Sequence, residues 1–182
     1  MNKISINEQL ELRVIDIEHA SAFYQLIDKN RLYLRKWLAW LDKTNSVEDL
    51  VGFINRVKKD IDAGEALCFL IWRHEEILGI IHLVDIDKNN KKSAIGYWIG
   101  EEFRGKGIVM LACKAILDYA FKQLLLNKIE IRCASENFAS KAIPEKLGFL
   151  KDGVLRDNEF LYDHFVDHHV YSMLAKDWAI KN

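Results

Sequence analysis

Between Ile95 and Val109, a stretch that alternates like a strand runs into the glycine-containing loop Arg104-Gly105-Lys106-Gly107, and a helical pattern opens at Ile108. The N–H groups at such a helix start lack intrahelical partners and lie at the positive end of the helix dipole, so the loop suits a pyrophosphate. Gly105 and Gly107 keep side chains out of its way. An ordinary exposed turn is the plainer alternative. No Lys-Ser or Lys-Thr pair follows at the spacing of an ATP-binding loop, and the GxGxxG pattern is absent, which argues against both ATP and NAD.

A second group of residues follows about thirty positions on: Asn137, Ser140, Glu145, Lys146, Leu147, Gly148 and Phe149. Together, Arg104-x-x-Gly107-x-Val109 and this run resemble the Q/R-x-x-G-x-G/A and N-x-x-A/S-x-x-x-x-E-K-x-G-F motifs of the GNAT N-acetyltransferase superfamily. Val109 departs from the small final residue of the first motif. The tryptophan-bearing elbow Arg31 to Asp42 resembles the ribosomal-protein, RimJ/RimL-type branch.

The resemblance covers most of the chain. It implies one α/β (α+β) domain over residues 1–182, with a mixed, mostly antiparallel central sheet flanked by helices. Within that sheet, the parallel strands matching Ala94 to Ile99 and Lys128 to Ala134 would splay apart. It further implies acetyl-CoA as cosubstrate, without a metal. Its pyrophosphate would lie on Arg104, Gly105, Lys106, Gly107, Ile108 and Val109, and its pantetheine arm would enter the gap much as an added strand would. Asn137 would bond the pantetheine amides, or else cap the following helix. A backbone N–H near Trp98 or Ile99 would polarise the acetyl carbonyl.

By the same resemblance, a free amine attacks the thioester directly, so no acyl-enzyme and no Ser-His-Asp set is required. An α-amino group of pKa about 8 is partly neutral at pH 7, and a modest base suffices; a lysine amine near about 10.4 demands more. Glu159, which precedes Phe160, matches the proposed catalytic acid of the ribosomal-protein branch; the alternative is an exposed strand carboxylate. Most superfamily members carry a tyrosine as general acid where this chain has Pro144. Ser140, a helical turn earlier, matches the serine proposed to replace it, or else is the N-cap of its helix. Pro144 would strip the Ser140 carbonyl of its helical partner, so a late helix start or a kink is expected.

The acceptor implied is the α-amino group of a ribosomal protein with a serine or alanine terminus. A small amine (polyamine, amino acid or aminoglycoside) is the first alternative, and a noncatalytic acyl-CoA-binding module the second. Homo-oligomerisation stays open.

These residues need elements to hold them. The pattern gives a strand over Leu10 to Ile15, a helix over Glu18 to Lys29, and a helix from Val47 to about Ala63 with Ser46 and Asp49 as a capping box. A hairpin (Ala66 to Trp72, Ile77 to Val84) and a third strand (Ser93 to Gly100) follow. Then come a helix (Ile108 to Gln123), a strand (Lys128 to Ala134), a short helix (Ser140 to Leu147) stopped by Gly148, and strands to Leu174.

With 182 residues, half of them apolar, the chain can bury one core without disulfides. Its 26 basic and 27 acidic residues give no basic excess for nucleic acid. Met1 to Gln9 lacks a secretory pattern and no apolar run spans a membrane, so a cytoplasmic protein is expected, with Cys68, Cys113 and Cys133 as buried reduced thiols. Asp163, His164, Asp167, His168 and His169 suggest a metal, but neighbouring strand residues face opposite ways, which disfavours it. Trp37 and Trp40 are expected in the core.

Overall fold

The strands at the centre of the sheet read as nearly unbroken apolar runs, which requires cover on both faces. In β3 (Leu67–Arg73) the five residues from Cys68 to Trp72 are all buried. The computed structural model describes residues 3–181; Met1, Asn2 and Asn182 of the expected domain lie outside the described residues. With β1 (Lys3–Ser5), β2 (Leu10–Val14), β4 (Glu76–Asp87), β5 (Lys92–Ile99), β6 (Lys128–Ala134), β7 (Leu150–Leu161) and β8 (His164–Leu174), β3 forms one eight-stranded sheet in the order β1-β2-β3-β4-β5-β6-β8-β7.

Every neighbouring pair is antiparallel except β5 and β6. That parallel pair registers only from Lys92 with Lys128 to Ile95 with Ile131. Beyond it, Gly96 to Ile99 stay on β4 and Arg132 to Ala134 stay on β8. The two strands therefore part in mid-sheet, as the expected splay requires.

The helices are α1 (Ala20–Lys29), α2 (Arg31–Leu34), α3 (Val47–Ala63), α4 (Ile108–Lys122), α5 (Phe138–Leu147) and α6 (Ala175–Lys181). α1 packs on α3 against β3 and β4, whereas α4 packs on α5 against β4, β5 and β6. α4 is apolar nearly all round and buries Ile108, Val109, Ala112, Cys113, Ile116, Leu117, Ala120 and Phe121. Phe69, wholly buried, contributes on the order of 2–3 kcal/mol by leaving water.

Local signals set the helix ends. Ser46 accepts from Asp49 N–H at 3.1 Å, and the Asp49 carboxylate accepts from Asn45 N–H at 2.9 Å. α3 ends on the left-handed Gly64. Three elements escape the sequence reading, among them the single turn of α2 inside the expected elbow. β1 is too short to show a period, and α6 follows the strands where none was expected, anchored by buried Trp178, whose Nε1 donates to Asp118 at 3.0 Å.

Candidate active site

The parted strands open a cavity of about 580 Å³. Its walls come from β5 and β6, the start of α5, the elbow after α2, α3, and the β7–β8 hairpin. Trp98, Asn137, Ser140 and Glu159, far apart in the sequence, all line it. The loop Arg104 to Val109 does not. It sits beyond the C-terminal end of β5, so this strand connects the two expected parts of the site.

In that loop, Gly105 (φ +73°) and Gly107 (φ +74°) both take the left-handed conformation, and a Cβ at either would meet nothing within 4 Å. The space above the loop is open. The first bond of α4 runs from Leu111 N–H to the Gly107 carbonyl at 3.0 Å, leaving the N–H groups of 108 to 110 without intrahelical acceptors. The side chains of Ile108 and Val109 turn into the core, so these residues can offer a ligand only their backbone N–H groups. The bulk of Val109 thus points away from the open side. Lys106 Nζ donates to the Glu102 carbonyl at 2.9 Å, and the Arg104 guanidinium lies 4.9 Å from the Tyr33 ring centre. Buried Asn30 accepts from Glu101 N–H at 2.7 Å and ties the loop entry to the end of α1. Glu102 pairs with Lys29, whose ammonium holds its carboxyl below the usual carboxylate range.

Backbone direction along β5 follows from one bond. Gly100 N–H donates to the Leu78 carbonyl at 2.8 Å, so alternate residues, Trp98 among them, direct their N–H groups to β4. The N–H groups of Tyr97 and Ile99 face the other way, toward the gap. Of Trp98 and Ile99, it is Ile99 whose N–H turns away from β4, while Trp98 and not Ile99 lines the cavity. The Trp98 ring stacks on Phe23 at 5.4 Å between centroids and 9° between planes.

α5 begins earlier than its sequence pattern suggests. Asn137 is the N-cap, its side chain accepting from Ser140 N–H at 3.1 Å, and the helix runs from Phe138 through Pro144 to the left-handed Gly148. Ser140 is therefore inside the first turn and is not the cap. Its hydroxyl lies 3.3 Å from Tyr97 Oη and 3.2 Å from Cys133 Sγ. Burial raises the Cys133 thiol and holds the Tyr97 phenol well above its ordinary value, so both keep their protons near neutrality.

Glu159 is placed by a register shift between Leu155 and Glu159, where β7 bulges against β8 and Asp157 takes φ +48°. The bulge brings Glu159 Oε2 to 3.1 Å from His168 Nε2, while Asn158 Nδ2 lies 3.1 Å from His168 Nδ1. With the amide donating to Nδ1, the ring proton sits on Nε2 and is donated to the carboxylate; this tautomer is assigned from the bonding pattern. His168 and His169 point apart, the latter toward Tyr171.

His82, on β4, also lines the cavity, and the low-polarity surroundings that still leave its ring partly exposed pull its pKa down to about 4. Trp37 and Trp40 line the cavity too and are not core residues, because the elbow turns their rings toward the gap; Trp40 is 39% exposed. Sequence reasoning missed His82, Tyr97 and the Glu159–His168 pair. A lone histidine inside the apolar run Ile80 to Val84 was the legible signal for the first. No local signal marks the other two, which depend on strand register.

Residues 9–150 match the profile of the acetyltransferase (GNAT) domain. The ribosomal-protein-serine acetyltransferase of Escherichia coli is 31% identical over 171 residues, covering 94% of this chain and 96% of that one. Among solved structures, the microcin self-immunity acetyltransferase MccE in complex with acetyl-CoA and AMP superimposes with a TM-score of 0.91 at 31% identity, over 94% and 95% of the two chains. A RimL ribosomal alpha-N-protein acetyltransferase in complex with coenzyme A gives 0.93 at 27% identity, over 97% and 99%.

Proposed function

The chain belongs to the GNAT acetyltransferase family, and on that premise we propose that it acetylates the α-amino group of a ribosomal protein whose first residue is serine or alanine. The coarser activity is that of an acetyl-CoA-dependent N-acetyltransferase. A ribosomal acceptor would place the reaction in the cytoplasm.

One observation carries this reading: Glu159 and Ser140 stand on the walls of the same cavity, at the point where β5 and β6 part. In the proposed reaction, acetyl-CoA supplies the thioester carbonyl. The N–H groups of residues 105 to 109, with Arg104 and Lys106, would hold its pyrophosphate, and Asn137 would bond the pantetheine in addition to capping α5. The Ile99 N–H, free of β4, would donate to the carbonyl oxygen as negative charge develops on it.

The neutral amine forms a C–N bond to the carbonyl carbon, the C–S bond breaks, and the electron pair stays on sulfur. Glu159 takes the proton that the amine gives up, directly or through water, with His168 donating to its other side. Ser140 gives its hydroxyl proton to the departing thiolate and recovers one from solvent. No acyl-enzyme is formed, so each acetyl group passes directly from sulfur to nitrogen.

Screening peptides with serine or alanine termini against polyamines, amino acids and aminoglycosides, all at equal concentration with acetyl-CoA, tests the acceptor. Faster turnover of the peptides supports the proposal. Preference for a small amine replaces it with the small-molecule reading, and binding of acetyl-CoA without turnover on any amine leaves an acyl-CoA-binding module.

A further inference from the structure

Pro144 lies inside α5, four residues after Ser140. It has no N–H, so the Ser140 carbonyl lacks the donor that an unbroken helix would give it. The helix is nevertheless continuous through the proline. The missing donor comes from another element: Tyr97, on β5, directs its hydroxyl to the Ser140 carbonyl at 3.0 Å.

We propose that Tyr97 is the positioning residue for Ser140, its hydroxyl standing in for the amide that Pro144 removes and fixing the first turn of α5 so that Ser140 Oγ faces the parted strands. This rests on the reading of Ser140 as the donor to the leaving thiolate. Two contacts define the arrangement. The phenol gives its one proton to the carbonyl, so its oxygen can accept from Ser140 Oγ, 3.3 Å away. Cys133 Sγ is a second neutral acceptor for the same hydroxyl at 3.2 Å. A thiolate arriving in the cleft is charged and so a stronger acceptor than either, and the serine proton turns toward it.

Tyr97 is not itself the acid in this arrangement. Its proton is committed to the carbonyl, and its buried surroundings strengthen the O–H bond against ionisation. A tyrosine from the strand thus keeps the helix intact in a chain whose helix carries proline where relatives are expected to carry the acid.

Kinetics on Tyr97→Phe, Ser140→Ala, Pro144→Ala and the pairs Tyr97→Phe/Ser140→Ala and Tyr97→Phe/Pro144→Ala test the inference. Tyr97→Phe is expected to lower kcat about tenfold, with KM for acetyl-CoA within about twofold. In the Ser140→Ala background the same change should have no further effect, since Tyr97 acts through Ser140. In the Pro144→Ala background, where the amide is restored, it should cost less than about twofold.

Wild-type turnover in Tyr97→Phe beside impaired Ser140→Ala overturns this inference alone, as does an undiminished Tyr97→Phe effect in either background. Wild-type turnover in Ser140→Ala overturns the proton-donor reading. Circular dichroism checks the fold of each variant. Should Tyr97→Phe unfold, a folded and active Tyr97→Phe/Pro144→Ala pair supports the inference, and an unfolded or inactive pair contradicts it.

Discussion

His168 Nε2 lies 3.1 Å from a carboxylate oxygen of Glu159, and Asn158 holds the opposite ring nitrogen at the same distance. The carboxylate is thereby fixed at the cavity wall with its remaining lone pairs available to an incoming amine. An α-amine of pKa about 8 is roughly a tenth neutral at pH 7, so a base matters most there and least at higher pH. Glu159→Gln is expected to lower kcat/KM about a hundredfold at pH 7, with the deficit shrinking to less than about tenfold by pH 9. A pH–rate profile on a serine-terminated peptide measures this; a deficit that stays constant with pH would assign Glu159 a structural role only.

Gly107 at φ +74° is open to solvent on the side where a Cβ would project. Gly107→Val is therefore expected to lose about 1–3 kcal/mol of stability from backbone strain and to raise KM for acetyl-CoA at least about tenfold, while kcat at saturation falls less. Thermal melts and acetyl-CoA titrations separate the two effects. An unchanged KM would remove the loop from the cosubstrate site.

Much of this was legible in the sequence. α3 and the start of α4 fall where the apolar spacing put them, because their caps, Ser46, Gly64 and Gly107, are local signals, and β6 does so because its residues alternate. The glycine-containing turn from β5 to α4 was legible for the same reason. Contacts between distant elements were not. Ser140 looked like a cap because Asn137 and Ser140 can each cap a helix, and only the fold decides between them. The bond from Tyr97 to Ser140 joins residues 43 positions apart, and the Glu159–His168 pair depends on a bulge that no periodicity reveals. Trp37 and Trp40 read as core because aromatic residues usually are, yet they line the cavity at an elbow with no repeating pattern.

His82 ties stability to pH. Its pKa is about 4 in the folded chain against about 6.5 unfolded, so over that window the unfolded state binds the extra proton. Stability from this group is complete above pH 6.5 and declines as pH falls toward 4, by about 3 kcal/mol in all. Urea unfolding at pH 7.5 and 5 should show about 2 kcal/mol of this loss in the native chain and a smaller loss in His82→Gln. Equal losses in both chains would contradict it.

Two glycines outside the loop should differ sharply. A Cβ at Gly79 would lie 2.3 Å from the Trp98 carbonyl oxygen and 2.8 Å from Ile99 Cα, both rigid backbone of β5. Gly79→Ala is expected to destabilise the chain by about 3 kcal/mol by prising β4 from β5, whereas Gly153→Ala, whose Cβ meets nothing within 4 Å, should stay within about 0.5 kcal/mol. Denaturant midpoints at constant slope measure both, and equal effects would contradict the prediction.

The proposed function turns on which nitrogen receives the acetyl group. The most direct measurement is fragment-ion mass spectrometry of one serine-terminated peptide that also contains an internal lysine, after reaction with the enzyme and acetyl-CoA. A single acetyl group on the terminal serine nitrogen is expected; acetylation of the lysine alone, or of neither amine while a free polyamine in the same mixture is modified, would contradict α-amino acetylation.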